Sequence, residues 1–355
     1  MGREHGFALI DVLIGSAIGL AAIAVTCQLA ADAQVVWRAA AARADLQQRA
    51  RVAQDHLTRT LREAGAGPLT GPARTSMMRG VPAVVPRRVG ARGSHPPDEF
   101  RTDTVTIVRA VAESEHGVLL TAAPAGTGVI ELAALAGCSL PSCGFEAGSS
   151  LMLLDRSGSY DVFTVTSTEG PVLTVRHQGT GSSTSYPAGT PAIAVESTTY
   201  ALEAGSRVLR RYDGDASDLP LVDDVVGMRV GYFGAPEPPV WPRPAAGESN
   251  CLYASDGSFL SALMPLIGAP GRLVELSPAM LTDGPWCGAG DTRFDADLLR
   301  VRRLRVSVRV QAGDAAVRGT DPVQFANPGR ARRAPFLVSD ATIDIDVAPR
   351  NLRLE

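Results

Sequence analysis

The chain has 355 residues, 45% hydrophobic and 20% charged, a composition inside the globular range and outside that of disordered proteins. Its formal net charge of -3 argues against a polyanion-binding protein, so no direct contact with nucleic acid is expected. Every basic side chain besides histidine is arginine, and without lysine both Schiff-base chemistry and lysine-dependent phosphate loops are excluded.

The chain opens with a short polar stretch, Met1 to Gly6, followed by an apolar run from Phe7 to about Ala31 whose sole charge is Asp11. At 1.5 Å per residue, roughly 25 residues make a helix about 37 Å long, enough to cross a hydrocarbon core about 30 Å thick. The run lacks a small-x-small cleavage site ahead of a polar region, so an ordinary secretory signal fits poorly. Arg3 favours a cytoplasmic N-terminus, a bias weakened by Arg38 and Arg43 beyond the run. An acid one turn inside such a run costs a few kcal/mol on insertion scales, so Asp11 must be neutralised, paired or drawn up to the headgroups. Gly15 and Gly19 would let a second helix approach closely, although glycine is common in membrane helices in any case.

Gly6-Phe7-Ala8-Leu9-Ile10-Asp11-Val12-Leu13-Ile14 resembles the type IV prepilin signature, in which glycine precedes phenylalanine, an apolar stretch and an acid at the fifth mature position. The resemblance implies a leader of residues 1–6 removed after Gly6 by a prepilin peptidase, and N-methylation of Phe7. It also implies a role in assembly for Asp11: the amine of another subunit would pair with the buried carboxylate and reward correct axial register. This sequence carries aspartate where the family usually has glutamate, so the carboxylate reaches one methylene less far.

From Asp32 the composition turns rich in alanine and arginine. Leu46, Ala50, Ala53, Leu57, Leu61 and Ala64 recur at three- or four-residue spacing, as one face of a helix does. Gly65 and Gly67-Pro68 end the pattern. A single helix over residues 7–64, with 7–31 in the membrane, would be some 87 Å long, so its second half must pack elsewhere, most simply on a sheet of the same chain. The alternating charges of Arg43, Asp45, Arg49, Arg51, Asp55, Arg59, Arg62 and Glu63 read as a solvated face.

Residues 65–355 switch to short runs separated by Gly, Pro, Ser and Asp, the pattern of an antiparallel sheet. Strands are expected over Asp103–Arg109, Ser150–Leu154, Asp161–Thr166, Val172–Arg176, Arg207–Tyr212 and Met228–Phe233. The clearest two come late: Val306, Val308 and Val310 alternate with Arg305, Ser307 and Arg309, and Ile343, Ile345 and Val347 alternate with Thr342, Asp344 and Asp346. If neighbours, these two would set arginine against aspartate on the wet face. Residues 234–297, rich in proline and glycine at their start, read as an insertion.

The long helix, Tyr200-Ala-Leu-Glu through Val208-Leu-Arg-Arg-Tyr212, Leu221 through Tyr232, and the terminal Ile345-Asp-Val-Ala-Pro-Arg-Asn351 look like the PilW family of minor pilins. That resemblance implies an α+β fold, the pilin-like lollipop with a long N-terminal helix packed on a mainly antiparallel β-sheet domain. It implies an inner-membrane, single-pass protein with an exported domain that later enters a type IV pilus, at the tip, and helps initiate pilus assembly in a priming complex. The implied partners are other minor pilins, the major pilin, the inner-membrane assembly platform and a tip adhesin. Adhesion, twitching and DNA uptake all use these parts, and the residues do not choose among them. Two alternatives stay open: a J-type pseudopilin of type II secretion, and a signal-anchored periplasmic enzyme or binding protein.

Of five cysteines, Cys27 lies in the apolar run and reads as a small buried residue. Cys138, Cys143, Cys251 and Cys287 are disulfide candidates. Cys138 with Cys143 would close a tight loop and Cys251 with Cys287 would staple the insertion, although four cysteines permit three pairings. Zinc is the weaker alternative, since the Cys-x4-Cys has no second pair at compact spacing. Asp213, Asp215 and Asp218 form a turn that could grip calcium, but the distal glutamate of an EF-hand loop is missing and a solvated turn is favoured. No hydrolase, zincin or nucleotide motif occurs, and His56, His95, His116 and His177 stand alone, so neither catalysis nor a cofactor is expected. Trp37, Trp241 and Trp286 are core or interface residues.

Overall fold

Helix α1 runs from Leu9 to Arg62 without a break, as the absence of proline and the alanine-rich second half dictate. The computed structural model describes residues 9–67, 80–111, 116–133, 138, 140–155, 157–179, 181, 184–263, 265–267, 271–333 and 336–352. The expected leader and Phe7 lie outside the described residues. The chain forms two compact units, one holding residues up to Arg49 together with Val310–Ala341, the other holding Ala50–Arg309 and Thr342–Glu355. The division therefore falls inside α1.

In the second unit the end of α1 is bound to a sheet. Ala53, Leu57 and Leu61 are fully buried on one helical stripe, which the three- and four-residue spacing prescribes. The Thr60 and Tyr200 hydroxyls are 2.8 Å apart. Beyond Arg62 the chain turns at Gly65, whose φ of 68° suits the left-handed conformation that glycine adopts without a Cβ penalty. The Gly65 N–H donates to the Val108 carbonyl at 3.0 Å, and the Ala110 N–H donates to the Ala66 carbonyl at 2.6 Å, fastening the helix exit to a strand.

That strand is one of ten in the larger sheet: β1 (Val84–Val85), β2 (Thr104–Ala110), β3 (Gly117–Val118), β4 (Val129–Glu131), β5 (Ser150–Leu154), β6 (Tyr160–Glu169), β7 (Val172–His177), β8 (Pro191–Glu203), β9 (Val208–Tyr212) and β10 (Asp218–Val222). The main path is β1-β2-β8-β5-β6-β7-β4. β8 is its spine, pairing antiparallel with β2, β3, β5 and β9 along different parts of its length. Leu119, Leu132, Phe145, Leu151, Phe163, Leu173 and Tyr186 form one core of this sheet, with Cys143 buried among them.

Among the described residues six further strands follow: β11 (Val225–Gly234), β12 (Val274–Leu276), β13 (Trp286–Cys287), β14 (Phe294–Asp295), β15 (Val301–Val310) and β16 (Ala341–Val347). β12-β11-β15-β16 make a four-stranded sheet, and β13 pairs with β14. The Val230 N–H donates to the Thr102 carbonyl at 2.9 Å, and Tyr232 meets Phe100 edge to face with ring centroids 5.7 Å apart, so β11 is tied to the segment leading into β2. Gly234 lies where β11 crosses the chain at Arg300, and a Cβ there would fall 2.8 Å from the Arg300 carbonyl oxygen. Close backbone approach therefore requires glycine at this position.

The architecture is α+β, with one long apolar N-terminal helix and a mainly antiparallel sheet domain. The late strands β15 and β16 are neighbours, and Asp346 on β16 is the acid that both Arg303 and Arg305 reach. β8, the longest of the described strands, is not among those expected from the sequence. Its residues Ala192 to Val195 are all buried, so no alternation marks them, a pattern typical of strands covered on both faces.

Candidate functional site: an uncovered apolar helix carrying one acid

From Leu9 to Gln34 every residue of α1 is exposed, and the first fully buried one is Ala39. Leu9, Ile10, Val12, Leu13, Ile14, Ile18, Leu20, Ile23, Val25 and Leu29 thus present large apolar side chains on all sides, uncovered by the described residues. An amphipathic helix of a soluble domain has one apolar stripe, whereas a helix apolar all round is made for an apolar surrounding. This helix is long and apolar enough to cross a membrane.

Its polar atoms fit the same environment. The Ser16 hydroxyl donates to the Val12 and Leu13 carbonyls at 2.8 and 3.0 Å, and the Thr26 hydroxyl donates to those of Ala22 and Ile23 at 3.1 and 2.9 Å. Both hydroxyls are satisfied inside the helix, which lipid demands because no water is there to replace the bond. Around Gly15 and Gly19 an added Cβ would meet open space, so both glycines face outward. Cys27 is a free, exposed thiol on this segment rather than a residue buried within the chain.

Asp11 lies in the first turn of the described helix and is exposed. Near a helix N-terminus a carboxylate is favoured by the macrodipole, which offsets part of the cost of placing it among apolar neighbours. The next charge along α1 is Asp32, about 32 Å further on, which matches the hydrocarbon thickness of a bilayer. Asp11 therefore sits at one end of an apolar segment of membrane length. Gly6 and Phe7, expected to carry processing, lie outside the described residues.

The four cysteines beyond α1 pair as Cys138 with Cys143 and Cys251 with Cys287. Asp213, Asp215 and Asp218 do not converge on a common point. Asp213 accepts the backbone N–H groups of Asp215 and Ser217, Asp215 pairs with Arg176 at 2.7 Å, and Asp218 pairs with Arg88 and Arg210 at 2.9 and 2.8 Å. The two arginines beside Asp218 hold its carboxyl below the usual carboxylate range, against the opposing effect of partial burial. The turn is thus a structural clasp, with each carboxylate already engaged.

Two clusters escape a reading by motif. Asp161, deeply buried, lies 2.9 Å from His177 Nε2 and accepts the Tyr186 hydroxyl at 3.0 Å, joining β6, β7 and the following loop. Among the described residues, Asp283, Asp295 and Asp297 bring carboxylate oxygens within 4.8 Å of one another, a geometry that could hold a metal ion. Their charge is met from within: Asp295 accepts N–H groups of Gly284 and Asp297, and Asp297 pairs with the buried Arg300 at 2.5 Å. Burial pushes the Asp295 carboxyl up to about 6. The Asp295-x-Asp297 spacing and the i,i+3 arginine at Arg300 are local in the sequence, whereas the fold is what brings up Asp283.

No family model matches the chain, and no curated protein matches it.

Proposed function

We propose that this chain is a minor pilin of a type IV pilus, of the kind the PilW resemblance implies, and that it acts in assembly rather than catalysis. The observation that carries the reading is the uncovered apolar segment of α1 with a single acid one turn from its start, continuous with a helix that ends on a disulfide-bonded sheet domain. Such a segment needs lipid before assembly and other apolar helices after it, and both surroundings are dry. In either, the Asp11 carboxylate is stabilised by meeting a positive group, and the free amine of a processed pilin subunit is a positive group at the right depth. Docking of preformed helices would lower the association cost for the first subunits of a filament. The two disulfides suit an exported domain.

The mature N-terminus tests this directly. Mass spectrometry of the membrane-extracted protein should find the chain beginning at Phe7 with one added methyl group. A start at Met1, or one well downstream of Phe7, removes the pilin reading. Asp11→Ala should leave the protein abundant in the membrane and sharply reduce its incorporation into sheared pili, and normal incorporation would dispose of the pairing mechanism. Recovery of the wild-type chain in surface pili also separates this reading from a pseudopilin of type II secretion.

A further inference from the structure

In the first unit residues 310–341 pack on α1. Ala39 is fully buried, Leu46 nearly so, and the Arg43 guanidinium donates to the Leu337 carbonyl at 3.0 Å. Val35 is half-buried. Val35 and Ala39 lie about 6 and 12 Å along the helix beyond Ala31, the end of the apolar run. If that run spans a bilayer, Val35 lies within the headgroup layer, about 5–8 Å thick, and Ala39 about 5 Å beyond it. The packed segment therefore meets the helix from just outside the headgroups, at Ala39, onward to Arg43.

What the segment offers there is basic. Arg330, Arg332 and Arg333 are exposed within five residues, Gly329-Arg-Ala-Arg-Arg333. The loop that carries them is held in place: the N–H groups of Gly329, Arg330 and Ala331 donate to the carbonyls of Gly319, Ala315 and Arg318 at 2.7, 2.7 and 2.9 Å. Gly329 is required for this closure, because a Cβ would fall 2.2 Å from the Arg318 carbonyl oxygen. The segment's own acids serve its turns instead, Asp314 accepting the Ala316 N–H, Asp321 that of Val323 and Asp340 that of Ala326. Val323, 83% exposed, adds an apolar tip, and Trp37, 75% exposed, stands on α1 just past the apolar run, at the depth where amphipathic rings favour the interface.

We propose that this arginine loop is a docking surface for anionic phospholipid headgroups, which fixes the depth of α1 and the position of residues 310–341 on the membrane. The inference rests on the membrane-spanning reading of α1 but not on the pilin reading. Guanidinium groups match the phosphodiester in charge and fork geometry, and three of them near a negative surface favour attachment on the order of a hundredfold. The attraction falls off within about 8 Å at physiological salt, and the segment first meets the helix at Ala39, inside that reach of the headgroups.

The test reconstitutes the full chain, sheet domain outward, in vesicles of phosphatidylcholine alone or mixed equally with phosphatidylglycerol. Flotation with both vesicles checks the anchor. Trypsin cleavage after Arg330 and Arg332, followed by mass spectrometry and normalised to cleavage after the exposed Arg92, should be at least about tenfold slower with phosphatidylglycerol. Equal rates in a chain that floats with both vesicles overturn the proposal and leave the anchor standing, whereas a chain that floats with neither overturns both. Hydrogen exchange over residues 315–331 supplies the second readout: R330Q/R332Q/R333Q should lose the lipid-dependent protection of the wild type. Protection that survives in this variant, or is missing from the wild type, refutes the loop as the contact.

Discussion

Asp295 is fully buried, and both of its oxygens accept backbone N–H groups, yet burial still dominates and raises its carboxyl to about 6. In the unfolded chain the same group titrates near 4, so the folded state holds the proton more tightly. The resulting stabilisation is full below about pH 4 and is lost as the pH rises through about 6, a change of at most about 2–3 kcal/mol. Unfolding by urea between about pH 4 and pH 7 should show this decline, and Asp295→Asn should flatten it. Arg300 beside it has the opposite vulnerability. Its guanidinium is buried, pairs with Asp297 and donates to the Pro236 carbonyl at 2.8 Å. Arg300→Met leaves a buried carboxylate without its partner, and a loss of about 3–5 kcal/mol is expected in the same urea assay. Arginine serves elsewhere as an internal staple too: buried Arg87 donates to the carbonyls of Pro97 and Arg293, both at 2.7 Å. Composition shows that arginine replaces lysine throughout, but not which guanidinium groups turn inward.

Among the elements, those whose environment differs on two sides were legible. Helix α1 was foreseen over 7–64 and is described from Leu9 to Arg62, since apolar spacing and the Gly65 turn are local signals. β15 and β16 alternate because one face is wet and the other buried, and their adjacency follows the expected opposition of arginine and aspartate. Of the two aspartates on the wet face of β16, Asp346 receives the arginines. β8 was illegible for the converse reason, being buried through its first half and carrying threonines that face other threonines across the sheet, as Thr199 faces Thr106 at 2.7 Å. The two disulfides differ in how they constrain the unfolded chain. Cys251 and Cys287 are 36 residues apart and Cys138 and Cys143 only 5, so the longer loop should contribute more, about 4 kcal/mol against about 2 on the chain-entropy account. Thermal unfolding of the two paired-alanine variants, Cys251→Ala/Cys287→Ala and Cys138→Ala/Cys143→Ala, should rank in that order, and a reversal would show that native-state packing outweighs loop entropy.

For the molecule as a whole, the uncovered apolar segment and the folded remainder are separable in energetic terms. No described residue before Val35 is buried, so deletion of residues 1–31 removes no side chain from either core. The shortened chain should leave the membrane fraction on carbonate extraction and keep the circular dichroism of a β-rich fold, while the full chain stays with the membrane. A truncated protein that aggregates or unfolds would mean that the apolar segment supports the domain directly. The candidate site was read from the sequence at Asp11 because a charge inside an apolar run is a local contradiction that any surrounding must resolve. The acidic cluster at Asp283, Asp295 and Asp297 and the arginine loop at Arg330, Arg332 and Arg333 gave no such signal. Aspartates and arginines are ordinary surface residues until the backbone brings them together or sets them against a membrane.

By itself the sequence determined the length and continuity of α1, its membrane-spanning composition, the place of its acid and the antiparallel character of the domain after it. Each of these depends on periodicity, hydropathy or chain-breaking residues within a few positions of one another. Tertiary structure decided which four cysteines pair, that β8 is the spine of the sheet, that Asp213, Asp215 and Asp218 go to separate partners, and that residues 310–341 return to lie against α1. Most of those outcomes depend on residues tens to hundreds of positions apart, and the free energy that selects them comes from burial and backbone hydrogen bonding in the assembled sheet, which no local stretch of chain contains.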